Sequence, residues 1–82
     1  MATIRIRAVW DALDECAKGW TRKESDEYWT VLVPGKEAYP VFPLGKHGPR
    51  TNPEIRAGEV RSLARFFDIV DCFKRNLPSA FQ

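Results

Sequence analysis

The chain has 82 residues, with one histidine, one methionine and two cysteines. These are few of the residue types on which metal centres and nucleophilic sites depend. Cys16 and Cys72 are too few and too far apart in sequence to make a zinc site without a second histidine. No Ser-His-Asp signature is present, and Gly45-Lys46-His47-Gly48 is too short for a phosphate-cradling P-loop. No cofactor or metal is expected. Long apolar runs are also lacking, and none approaches the roughly 20 residues of a membrane span. Met1-Ala2-Thr3-Ile4-Arg5-Ile6 has no apolar signal-peptide core. Both cysteines fall at apolar helical positions, where a free thiol behaves as a small hydrophobe. Buried thiols are therefore expected rather than a disulfide. With them goes a reducing, cytoplasmic setting.

What the chain does have is apolar and aromatic mass. It is 44% hydrophobic, with three Trp, five Phe and two Tyr, too apolar for a disordered segment. Large side chains bury much area per residue, which a small core needs. A single domain over residues 1–82, with its core at about 4–77, follows. The net charge of +2 is unevenly spread. Residues 1–45 hold six Lys/Arg against seven Asp/Glu, and residues 46–82 hold seven against four. The basic excess gathers around Lys46, Arg50, Arg56, Arg61 and Arg65, where a local potential would attract a phosphate backbone. A solvated helix face is the plainer explanation of the same charges.

Local patterns give the element order. Ile6, Val9, Trp10, Leu13, Cys16 and Ala17 form a helical stripe that Thr3 can cap, and Gly19 stands where a left-handed residue would end it. Trp20 to Lys23 and Tyr28 to Val33 read as strands. Pro34-Gly35 reads as the centre of a type II turn, and Ala38 to Pro43 as a returning edge strand, because Pro40 and Pro43 cannot donate to a ladder. Leu44 to Pro53 reads as a loop. A second helix, with Val60, Leu63, Ala64 and Phe67 as its stripe, starts either at Asn52-Pro53 or near Ala57-Gly58. A short third element is anchored by Phe73 and Leu77, with Asp71 as its cap, and Ser79 to Gln82 is expected to fray. The expected fold is α+β: a two-layer α-β-β-β-α sandwich with both helices on one sheet face, an open opposite face and a short C-terminal helix.

Several short motifs in this order resemble the HicA (YcfA-like) toxin family. Ala17-Lys18-Gly19-Trp20, Val33-Pro34-Gly35, Pro43-Leu44-Gly45-Lys46-His47-Gly48 and Glu54-Ile55-Arg56-Ala57-Gly58-Glu59-Val60-Arg61-Ser62-Leu63 carry the likeness, over about residues 5–70. The resemblance implies a double-stranded-RNA-binding-like fold, RNA as target, an antitoxin-like protein as partner and metal-independent endoribonuclease chemistry. One departure matters. Where the family has its catalytic histidine, at the start of the second strand, this chain reads Glu24-Ser25-Asp26-Glu27-Tyr28. The resemblance thus carries RNA binding further than it carries cleavage.

Metal-free RNA cleavage needs a base for the 2′-hydroxyl, an acid for the leaving 5′-oxygen and cations for the phosphate. His47, with an ordinary pKa of about 6.5, is the one candidate for proton transfer. Lys46, Arg50, Arg56, Arg61, Arg65 and Lys23 are the candidates for gripping phosphate. Asp26 and Glu27 would be repelled by phosphate and are too acidic to be good bases at neutral pH, so a solvated turn suits them better. An ordinary loop histidine is the plain alternative for His47. A reading from another class also stands, in which the basic face or the open sheet binds an acidic protein and no RNA is involved.

Overall fold

The computed structural model describes residues 2–44 and 52–82. The loop residues Lys46, His47 and Arg50 lie outside this set. The architecture is α+β, with two antiparallel sheets and three α-helices among the described residues. It departs from the expected order at the start. Thr3–Arg5 is a strand, β1, that runs directly into helix α1, Ile6–Cys16. Thr3 therefore caps nothing; Arg5 occupies the N-cap position, with no side-chain cap of its own. The strands Thr21–Glu24 (β2), Tyr28–Leu32 (β3) and Tyr39–Pro43 (β4) follow. Glu54–Arg56 (β5) then leads straight into helix α2, Ala57–Phe66. Of the two starts open to the second helix, the later one is correct.

β1 and β5 form a two-stranded ribbon with Ile4 opposite Ile55. Both isoleucines are buried, while the flanking residues Thr3, Arg5, Glu54 and Arg56 face solvent. The two strand-to-helix junctions are alike. The Ile6 amide donates to the Pro53 carbonyl at 2.9 Å, and the Ala57 amide donates to the Ala2 carbonyl at 3.1 Å. Each helix thus has one of its orphan N–H groups satisfied by the chain entering the other helix. Asn52 adds a cap in trans: its Oδ1 accepts from the Arg7 amide at 3.1 Å. A residue whose type suggested a cap for the second helix caps the first.

The other sheet is the expected meander, in the order β2-β3-β4. Gly35 has φ of +79°, and the Lys36 amide closes on the Val33 carbonyl at 3.1 Å, as a type II turn requires. β4 is an edge strand, so its prolines cost no ladder bond. Its pairing shifts between Trp29–Phe42 and Val31–Tyr39, which leaves Pro40 and Val41 opposite Thr30 alone. This bulge lets both Tyr39 and Phe42 point inward. Both helices pack on that inner face. Trp10 of α1 meets Trp29 and Phe42, and the α2 residues Val60, Leu63 and Ala64 join Val31 and Phe42 in one buried core.

Two expectations about the C-terminal third are corrected. The tail does not fray. After α3, Val70–Asn76, residues Pro78–Phe81 form a 3-10 turn with Ala80 buried. Asp71 is a first-turn residue of α3 and Ile69 stands at its N-cap position. Asp68, at φ of +58°, sits where glycine is usual in the motif that ends α2, with Asp68 N–H on Arg65 O and Ile69 N–H on Ala64 O. Aspartate tolerates that conformation better than most residues.

The cysteines are not free. Cys16, ending α1, and Cys72, in α3, form a disulfide across 56 residues of sequence. Apolar spacing placed each on a helix face but could not show that the two faces meet. The inference from free thiols to a reducing compartment falls with it. Closing so long a loop in the unfolded chain stabilises the fold by about 2–4 kcal/mol. Cys72→Ser, or reduction of the wild type, is expected to lower unfolding stability by that amount. Denaturant titration with and without reductant measures it, and equal midpoints would mean that the bond contributes nothing.

Candidate nucleic-acid interface

The described basic residues do not form one face. Arg56 and Arg61 come together. With Glu59, Ala2, Gly58, Ser62 and Gln82 they line a concavity of about 530 Å³ at the start of α2, so a carboxylate shares it with the two guanidinium groups. Arg56 is exposed at the N-cap position of the helix. Arg61 is half-buried, and its Nη1 donates to the Ala80 carbonyl at 2.7 Å. It therefore pins the 3-10 turn as well as charging the concavity, a role its helical spacing gave no sign of.

Arg65, one turn beyond Arg61, belongs to a different neighbourhood. It acts on Tyr39, whose ring packs against Phe66 with centroids 5.1 Å apart. Burial raises the Tyr39 phenol above its ordinary 10.0; the Glu59 carboxylate pushes the same way and the Arg65 guanidinium opposes them. The phenol is thus a neutral hydrogen-bond donor at physiological pH. Lys36 reaches the same end of α2, where its Nζ donates to the Phe67 carbonyl. Lys23 lies elsewhere again. It pairs with Thr30 across β2 and β3, on the sheet face away from the helices. That open face also carries Tyr28 and Val41, which are 43% and 48% exposed.

The loop residues Lys46, His47 and Arg50 fall outside the described set, but both of its flanks are fixed. Leu44 is buried. Asn52 holds the start of α1, accepting from Arg7 N–H with its side chain and from Arg5 Nη1 with its carbonyl at 3.1 Å. Arg5 and Arg7 thus stand beside the end of the loop, and Arg56 faces Thr3 across the ribbon. Composition placed Arg5 and Arg7 in the net-acidic half of the chain, which hid their proximity to the basic half. Part of Arg5's charge is neutralised by Glu54 at 3.9 Å.

Between β2 and β3, at Glu24 to Tyr28, the chain makes a turn. Ser25 closes it three ways: its amide and Oγ donate to the Tyr28 carbonyl, both at 2.9 Å, and its Oγ accepts from the Tyr28 amide at 3.2 Å. Asp26 and Glu27 form the exposed tip. This is the solvated turn expected of them.

The largest feature missed from sequence is aromatic. Trp10 in α1, Trp20 just before β2 and Trp29 in β3 form one cluster. Trp10 stacks on Trp20 at 5.2 Å and meets Trp29 edge-on at 5.4 Å. Trp20 Nε1 donates to Asp14 at 2.7 Å. Trp29 Nε1 is buried with no acceptor among the described residues. The Arg22 guanidinium lies over all three rings. No helical or strand period links residues 10, 20, 22 and 29, so only the fold brings them together.

No family model, curated protein or solved structure matches this chain. No helix of the described residues is long and apolar enough to cross a membrane.

The contrast between Arg56 and Arg61 is directly testable. Arg61→Ala leaves the Ala80 carbonyl without its charged donor and is expected to cost about 1.5–3 kcal/mol of stability. Arg56→Ala should change stability by less than about 0.5 kcal/mol. Thermal unfolding of the two variants measures both, and equal losses would contradict the structural role of Arg61.

Proposed function

We propose that the chain is a HicA-like RNA-binding module of a type II toxin–antitoxin system, with a double-stranded-RNA-binding-like core and an antitoxin-like protein as its partner. The observation that supports this most is the placing of the meander between two helices on one sheet face, with Arg56 and Arg61 side by side where the second helix begins. A helix start adds the positive end of its dipole to these charges. On this reading, Lys46, Arg50, Arg56, Arg61, Arg65 and Lys23 supply the cations for an RNA backbone. The scatter of the four described ones, Lys23, Arg56, Arg61 and Arg65, over more than one surface favours a strand that wraps the domain over one held in a single groove.

Cleavage is the narrower part of the reading and rests on His47. In a metal-independent endoribonuclease this imidazole would take the 2′-hydroxyl proton and later return a proton to the leaving 5′-oxygen. Lys46 and Arg50 would carry the phosphate charge. Asp26 and Glu27 stay solvated at their turn. The reading places the chain in the cytoplasm. Disulfides are rare there, and the Cys16–Cys72 bond runs against this placement.

The second reading is a non-catalytic module that binds an acidic protein. The exposed Tyr28 and Val41 on the sheet face away from the helices favour it, as does the outer edge of β2, which pairs with no other strand among the described residues. Two measurements separate these outcomes. In a mobility-shift assay the RNA reading predicts binding that weakens steeply as salt rises, and no shift at low salt would overturn it. On induced expression, growth arrest relieved by His47→Ala assigns cleavage to that residue. Arrest that persists in the variant removes His47 from the mechanism.

A further inference from the structure

We infer that Arg22, held over the three tryptophans, is a preorganised phosphodiester-binding residue of this domain, one that the basic pattern of the sequence does not single out. The inference rests on the RNA-binding reading and adds a contact to it. The argument begins with how the described arginines are held. Arg5 is committed to Asn52 and Glu54, and Arg61 to Ala80. Arg7, Arg56, Arg65 and Arg75 are exposed, with no side-chain hydrogen bond or ion pair among the described residues, so each must lose rotamer freedom to bind a ligand.

Arg22 differs from both groups. Its guanidinium carbon lies 4.6 Å from the centroid of Trp10, 5.3 Å from that of Trp20 and 5.2 Å from that of Trp29. A cation over aromatic faces is attracted by the ring quadrupole. That attraction leaves the five guanidinium N–H donors unspent. Among the described residues they meet no carbonyl or carboxylate, and Arg22 is an exposed residue. No Asp or Glu of the described residues lies within ion-pair distance of it.

The rings are themselves fixed. Trp10 packs against Phe42, which is fully buried, and Trp20 is tied to Asp14. A guanidinium held in this way presents a fork of donors at a set position, which matches two oxygens of a phosphodiester. The three partly buried rings beside it also offer a surface on which a neighbouring base can stack. RNA meets both features, and an acidic peptide meets only the first.

Because every tryptophan of the chain surrounds this group, intrinsic fluorescence reports on it. Titrating the full chain with a fluorescein-labelled single-stranded RNA is expected to change tryptophan emission as the label's anisotropy rises. Arg22→Gln should weaken binding about tenfold and lower the salt slope by about one phosphate contact. Arg22→Lys keeps the cation over the rings but loses the fork, so it should weaken binding about threefold. This variant carries the test should Arg22→Gln fail to fold by circular dichroism. If the wild type binds RNA while both variants bind equally well and tryptophan emission stays constant, the role of Arg22 is overturned and the RNA reading survives. If the wild type binds no RNA at low salt, both are overturned. Binding of polyglutamate in preference to RNA, lost in Arg22→Gln, would overturn the phosphodiester assignment.

Discussion

Pairing between Thr3–Arg5 and Glu54–Arg56 is the constraint on which the rest of this small domain depends. It is a short ribbon, but it joins chain segments about fifty residues apart, and both helices start from it. Ile4 and Ile55 bury its inner side. The amides that open each helix are satisfied by the neighbouring strand's entry, at Pro53 and Ala2. Asn52 then caps α1 from outside. Neither helix has a side-chain cap of its own. Their starts are therefore fixed by tertiary contacts, where isolated helices of this length would be marginal.

The same ribbon sets where the charges go. Thr3, Arg5, Glu54 and Arg56 alternate outward because their neighbours point in. Arg7, Arg56 and Arg61 follow from the way α1 and α2 leave it. The aromatic cluster forms where Trp10 of α1 packs onto the meander. Positive groups differ in freedom: Arg22 is held over three rings, while Arg7, Arg56 and Arg65 have no side-chain hydrogen bond or ion pair among the described residues.

Much of the interior could be read from the sequence. The stripes Ile6-Val9-Leu13 and Val60-Leu63-Ala64, the aromatic β3, the Pro34-Gly35 turn and the edge position forced by Pro40 are local signals, and local physics produces them. The features that were misread are long-range. Thr3–Arg5 is too short to show a strand period, and its partner is distant, so Thr3 passed for a helix cap. Asn52 had the right chemistry for a cap but served the other helix. Cys16 and Cys72 looked like buried thiols because each lies on an apolar stripe, and only the packing of α3 on α1 brings them into bonding distance. The tail looked frayed because nothing in Ser79-Ala80-Phe81 announces that Arg61 will hold the Ala80 carbonyl. The candidate binding residues divide in the same way. Local charge density pointed to Arg56 and Arg61, while Arg22 became visible only once three separate elements were folded together.

Native-state hydrogen exchange on the Ile6, Arg7 and Ala57 amides tests most directly whether the ribbon governs the fold. If it does, these amides will be protected about as strongly as Val31 in the central strand, and Asn52→Ala will speed exchange at Arg7 well beyond its effect on Val31. Exchange of Ile6 and Ala57 as fast as that of Asp26 and Glu27 at the exposed turn would contradict the account.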